Sequence, residues 1–512
     1  MHRFIVLSLL LLLPWDASAR RGRKAAPATP PVPTMEERQA AFGNINEAMM
    51  SGRMTHAADM LVMLLSQPEQ THFHAEAYAR LGKVFSNLDL PYSALMAYEQ
   101  GLRSDIAVVG SEVPKALALG EQVGDSAVLE PIFANNLRIE TDAATRSRMA
   151  YLAAKENQRA GNHAMAYGML QMISASDPQY PDAKALEGVS LSLQKRYTDA
   201  IVPLQIALAM GKSKGRNAQF VDTNTMNIAR AYYSAKNFPK AAEHWAQIPR
   251  ESPLWVQAQF ERAWAHFQMK DMGGTLALLQ NHESPFFEGL YYPEASLLRI
   301  YALFMLCKFP DASRQIETFQ KRYNAQHSQL MSLAALPAST LFETMRRHVE
   351  TGESDLPPSL VAAFVSEERF NSSLKAISNA ESELARLRNV NANPFSATAA
   401  QWLDSRRTQL ITAEGTRIAK QVRLMESTLG EMIQNSEISK LDMLQLEQRL
   451  YEQAANIGKI PESKRNVKRK LRRKVDTRMW PWEGEYWADE VGYYRISAKP
   501  DCPAGLQTGE VK

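Results

Sequence analysis

The 512-residue sequence is poor in several things at once. It holds two cysteines, Cys307 and Cys502, too few for the disulfide framework of a small secreted scaffold. Charge of one sign is not in excess: 59 basic residues face 55 acidic ones, and a net +4 excludes a nucleic-acid binder defined by bulk charge. Beyond the N-terminus no apolar run approaches the ~20 residues that span a bilayer. β-branched residues are sparse, whereas Ala and Leu are abundant, which favours helix.

Catalytic signatures are missing too. There is no H-E-x-x-H, C-x-x-C or G-x-S-x-G. Gly211-Lys212-Ser213 resembles the end of a phosphate loop, but Ile206 stands where the first glycine is required. His72, His74 and Glu76 cluster ahead of a helix with no further ligand indicated, and read as a solvated helix start. The expectation is a non-enzyme without cofactor or metal.

What is present begins with an address. His2 and Arg3 precede the apolar run Phe4 to Leu13, and Ala17-Ser18-Ala19 places small residues before a cleavage point, so 1–19 reads as a signal peptide. Arg20, Arg21, Arg23 and Lys24, just beyond, oppose translocation. Residues 20–38 form a basic, Pro-rich leader with little to bury.

From 39 to 325 the chain repeats itself. Tyr78, Leu81, Gly82, Phe85, Ala94, Tyr98 and Gly101 alternate large and small residues as two closely crossing helices require. Copies follow from Ser147 and Pro181, and a turn-plus-helix phrase recurs as KNFPKAAEHW at 236–245 and CKFPDASRQI at 307–316. Segments 39–74 and 109–142 are degenerate units. Residues 326–358 form a connecting segment, and 359–461 have the apolar spacing of a long helical hairpin or coiled coil, with Gly415 and Gly430 as points for a kink. The tail, 462–512, opens on the basic patch Lys464, Arg465, Lys468, Arg469, Lys470, Arg472, Arg473 and Lys474, then turns aromatic. That patch suits an anionic envelope surface or a solvated helix end. Cys307 and Cys502 could pair, tying the tail to the array, or remain buried thiols; the sequence leaves both open.

The repeats resemble the tetratricopeptide family. The fold expected is all-α: a solenoid of about seven to eight hairpins, a long helical hairpin and a docked aromatic tail. In that register Arg148, Tyr151, Lys155, Arg230, Tyr233, Phe260, Trp264, Phe267, Tyr301 and Phe304 face the concave groove and are the candidate partner-binding residues. The alternative is that the chain's own segments fill it. The segments at 284–323 and 480–496 (WPWEGEYWADEVGYYRI) are similar to exported tetratricopeptide proteins of the deltaproteobacterial gliding machinery. That resemblance implies a periplasmic or outer-membrane-associated assembly role, although a lipid-bearing cysteine is lacking. The expected partners are envelope proteins offering a peptide or helix, with neither nucleic acid nor a transmembrane anchor in the mature chain. Two rival readings are a glycan-binding envelope protein and a wall hydrolase with an unrecognised catalytic unit.

Overall fold

A computed structural model describes residues 34–456, apart from 138, 288–289, 354–355, 366 and 390–392, together with 499–501. The signal peptide, most of the leader, the basic patch and nearly all of the tail lie outside the described residues. Every described element is an α- or 3₁₀-helix. The chain divides into two compact units: the first takes in Met1–Arg216, Phe342–Glu353 and Ala363–Thr416, the second Asn217–Leu341, Ser354–Ala362 and Arg417–Lys512.

The first unit stacks the hairpins Met35–Met50/Met54–Leu65, His74–Asn87/Pro91–Ser104, Ala143–Arg159/His163–Leu170 and Tyr180–Leu193/Tyr197–Ser213. A less regular pair, Val113–Val123 and Glu130–Asn135, sits between the second and third. The second unit continues with Ala218–Ser234/Phe238–Trp245, Trp255–Gln268/Met272–Gln280 and Pro293–Met305/Phe309–Ala334.

One device closes all seven regular hairpins. A residue of positive φ ends the first helix: Gly52, Asp89, Gly161, Lys195, Lys236, Lys270 or Cys307. The next residue's N–H then donates to the carbonyl five positions back, as in Asn162 to Asn157 (2.8 Å), Asn237 to Tyr232 (2.8 Å) and Lys308 to Leu303 (2.9 Å). This bond satisfies a carbonyl that the helix end would otherwise orphan. The recurrent Phe-Pro at 238–239 and 309–310 then starts the second helix, where proline's missing N–H is harmless.

Small residues set how closely the helices cross. A Cβ on Gly82 would lie 2.7 Å from the Tyr98 ring, and one on Gly188 would lie 2.4 Å from the Leu204 side chain. Ala94, Ala166, Ala200 and Ala207 are fully buried at the matching positions of the second helices.

Some boundaries differ from the sequence reading. Met35 to Arg38, assigned to the leader, are already helical, because Thr34 and Glu37 form a reciprocal capping box (3.2 and 2.7 Å). The boundary at 325 falls inside Phe309–Ala334, whose buried Ile316, Phe319, Tyr323, Leu330 and Leu333 keep one apolar face running across it. Within 326–358, Ala338–Thr351 is also helical.

The long hairpin pairs Glu368–Arg388 with the start of the 63-residue helix Pro394–Asn456. It is antiparallel, since Glu381 meets Arg407 (2.8 Å) and Ser373 meets Glu414 (3.0 Å). Arg346 also forks Glu381 (3.0 and 2.7 Å). In the second unit the same long helix lies antiparallel to Phe309–Ala334: Glu426 meets His327 at 3.2 Å, Ser436 meets Gln320 at 3.3 Å and Lys440 meets Glu317 at 3.7 Å. The helix continues through Gly415 and Gly430. A Cβ on Gly430 would come within 3.1 Å of the His327 ring, so that glycine serves close approach.

Candidate partner-binding groove

In the first unit, Arg148, Tyr151 and Lys155 share one face of Ala143–Arg159, three and four positions apart. All three are half-buried. Arg148 pairs with Glu121. Tyr151 leans on the core formed by Ala150, Ala154, Ala166, Leu170 and Ile173, and burial pushes its phenol well above the usual range. The Lys155 ammonium stands 5.9 Å from the Tyr151 ring centre and 3.9 Å from buried Glu130. Burial lowers its pKa. Arg159 also reaches Glu130, and its burial brings the guanidinium down to about 10.

In the second unit the corresponding faces are aromatic. Phe260, Trp264 and Phe267 follow one face of Trp255–Gln268, half-buried over Ala263, Leu279, Ala295 and Leu298. Trp264 and Phe267 meet edge-on at 5.8 Å, and Phe260 lies 5.9 Å from Tyr292. Tyr301 and Phe304 are half-buried on the next hairpin, Phe304 set edge-on to Phe309 at 6.1 Å. Arg230 forks Glu261 (2.8 and 2.6 Å). Arg230, the charged residue among these candidates, is therefore neutralised in place.

Tyr233 requires a correction. It is 7% exposed, with its ring against Phe238 and Trp245 (5.2 and 5.8 Å), so it belongs to the hairpin core. Three positions beyond Arg230, it has turned toward its own hairpin partner.

Sequence reasoning missed Glu261, Glu130 and the pair His282 and Tyr292. His282 stands edge-on to Tyr292 at 5.2 Å, and burial pushes its imidazole down to about 4. Glu261 lies 31 residues after Arg230, close to one repeat length, which is the signal that could have found it.

The first hairpins are covered by the chain's own C-terminal helices. Arg406 forks Asp125 (2.7 and 2.8 Å), which also accepts the Tyr92 hydroxyl at 2.8 Å. Glu383 receives the backbone N–H groups of Tyr92 (2.9 Å) and Ser93 (2.7 Å) and the Ser93 hydroxyl (2.5 Å), capping Pro91–Ser104 from 290 residues away. Burial raises its carboxyl pKa, and those hydrogen bonds oppose the rise. Trp402 packs on Tyr78 and Phe85 at 6.0 and 6.4 Å.

The remaining candidates are placed as follows. Glu76 is engaged by Arg80 at 3.0 Å and Arg38 at 3.8 Å. Gly211-Lys212-Ser213 closes the C-terminal end of Tyr197–Ser213, the end of a helix that does not cradle phosphate. Cys307 is buried and disulfide-bonded, whereas Cys502 and the basic patch from Lys464 to Lys474 lie outside the described residues. Among the described residues, no helix is long and apolar enough to cross a membrane.

The chain is an all-α protein of helical-hairpin repeats. No family model and no curated protein matches it. Solved structures to which it is similar include two Rap proteins. The apo form of RapI has 10% identity and a TM-score of 0.35 over 76% of this chain and 98% of that one. A Rap protein complexed with competence and sporulation factor has 10% identity and a TM-score of 0.29 over 75% and 99%. Likenesses this distant carry no functional argument.

Proposed function

We propose that the chain is a non-enzymatic adaptor that binds protein partners along the inner face of its repeats and helps to assemble a periplasmic or cell-envelope complex. The observation that carries this reading is the stripe Phe260, Trp264 and Phe267, aromatic side chains left half-buried beside an ion pair that neutralises itself. Large rigid side chains of this kind are what an apolar peptide or helix anchors on. Export is read from the N-terminal sequence alone, where a short apolar run is followed by small residues before a cleavage point. A role in gliding motility is the narrower form of the proposal. It rests on the resemblance of 284–323 and 480–496.

The test is site-specific photocrosslinking from position 264 in the native envelope. A discrete crosslinked envelope protein supports the adaptor. Crosslinks confined to the chain itself would overturn this choice of site.

A further inference from the structure

We propose that the inner face of the last hairpin seats one basic side chain, a lysine or arginine of the protein partner, on the Glu294 carboxylate among Tyr291, Tyr292 and Tyr323. This inference rests on the groove reading above and adds the chemistry of the partner to it. Register places Glu294 in the groove. In the last hairpin the turn bond from Lys308 ends on the Leu303 carbonyl, and in the hairpin before it the bond from Asp271 ends on His266, each at 2.9 Å. Counting back from those carbonyls, Phe304 matches Phe267, Tyr301 matches Trp264 and Glu294 matches Gln257. Glu294 also stands two helical turns before Tyr301, on the same face of Pro293–Met305.

Gln257 has a partner, the Glu261 carboxylate at 3.0 Å. Glu294 is half-buried, and among the described residues neither an ion pair nor a side-chain hydrogen bond reaches it. Phenol rings stand around it instead. Tyr291 and Tyr323 meet edge-on at 6.4 Å, and Tyr292 turns toward His282. Burial raises all three phenols, and the charge on Glu294 raises them further. Burial also raises the Glu294 carboxyl, opposed by its own backbone N–H at the helix start. Arg322 lies 5.5 Å from the Tyr323 ring centre and lowers that phenol, but it contributes nothing to the Glu294 carboxyl. The neighbouring carboxylates are engaged, Glu261 by Arg230 and Glu283 by Gln315 at 3.3 Å.

An uncompensated carboxylate beside aromatic rings is complementary to a cation. An arriving ammonium or guanidinium supplies the missing counter-charge and finds ring faces within reach. An acidic side chain would meet like charge, and an apolar one would strand the carboxylate. Seven residues of helix put Glu294 about 10 Å from Tyr301 along the axis. In an extended partner segment that distance is roughly three residues, so the basic residue stands about three positions from an apolar anchor.

The experiment uses the full chain and synthetic peptides, titrated by fluorescence anisotropy. Each peptide carries a Phe-Leu anchor, and the position about three residues away is Lys, Arg, Met or Glu. The Lys and Arg peptides should bind roughly tenfold tighter than the Met peptide, and the Glu peptide should bind most weakly. Glu294→Gln should erase that preference without weakening the Met peptide, and Glu294→Lys should turn it toward Glu. Trp264→Ala should weaken every peptide alike. Carbodiimide crosslinking of the bound Lys peptide to the unaltered chain should join its amine to Glu294, a readout that needs neither variant to fold. A basic preference that survives Glu294→Gln, or crosslinks that miss Glu294, would overturn this inference and leave the groove reading standing. No binding at all, or binding indifferent to both Trp264 and Glu294, would overturn the two together.

Discussion

The seven hairpin turns share one backbone conformation but not one residue type. In the first unit the left-handed position holds Gly52, Asp89, Gly161 and Lys195, and in the second Lys236, Lys270 and Cys307. Glycine adopts that conformation freely, whereas other L-residues are strained there by about 1 kcal/mol or more. The second unit therefore bears the strain at every turn, and the first at half of them. The first unit is also tied by a buried ionic node and a remote helix cap, whereas the second relies on apolar and aromatic packing, with Arg230–Glu261 the most buried of its ion pairs among the described residues. The same repeat is thus secured in two ways.

The node gives the largest expected effect. Asp125 is 2% exposed and Arg406 supplies its only ion pair among the described residues. Replacing Arg406 with Met strands a buried carboxylate and should destabilise the first unit by about 3 kcal/mol or more. Arg230→Met in the second unit should cost less, about 1–2 kcal/mol, because that pair is nearer solvent. Urea unfolding read by hydrogen exchange on peptides from each unit checks both. Equal losses would erase the distinction between the units.

Glu383→Gln comes next. A neutral amide can still accept, but it loses the charge assistance toward three donors at a helix N-terminus. The expected loss is about 1–2 kcal/mol, confined to first-unit peptides.

Neither feature was legible in the sequence. The hairpins were, because Gly82 against Tyr98, Gly188 against Leu204 and the Phe-Pro helix starts are local and recur in register. Arg406 with Asp125, or Glu383 with Tyr92 and Ser93, join positions some 280–290 residues apart, and no periodicity records such a pair. Within 359–461, Glu368–Arg388 and Pro394–Asn456 are helical, yet the apolar spacing does not say that one part of the long helix lies on the first hairpins and the other on Phe309–Ala334. Of the groove candidates, Phe260, Trp264, Phe267, Tyr301 and Phe304 are half-buried. The register failed at Tyr233, where the side chain turns into its own hairpin.

The pH response should separate the units further. The unfolded chain holds the His282 proton up to about 6.5, whereas the folded site releases it until about 4. Between those values the unfolded state binds more protons, so acid favours unfolding. The stabilisation is complete above pH 6.5 and falls away toward pH 4. Second-unit peptides should lose protection across that window, and His282→Phe should flatten the response. A profile unchanged by that substitution would mean that another group carries it.

The smallest effect bears most directly on the turns. Lys236→Gly removes a Cβ from a left-handed position (φ 62°) whose side chain is exposed, so little packing is lost. The strain relieved is about 1 kcal/mol or more, and the added freedom of the unfolded chain takes back about 0.4–1 kcal/mol. A net gain of roughly 0.5 kcal/mol is expected, and the same sign at Lys270. Gly161→Lys in the first unit should lose a comparable amount, because φ is 79° there and glycine already meets the demand. Thermal and urea midpoints of the three variants decide it. If the lysine-to-glycine changes destabilise, these lysines contribute more through their side chains than the backbone conformation costs, and the second unit's turns are no weaker than the first's.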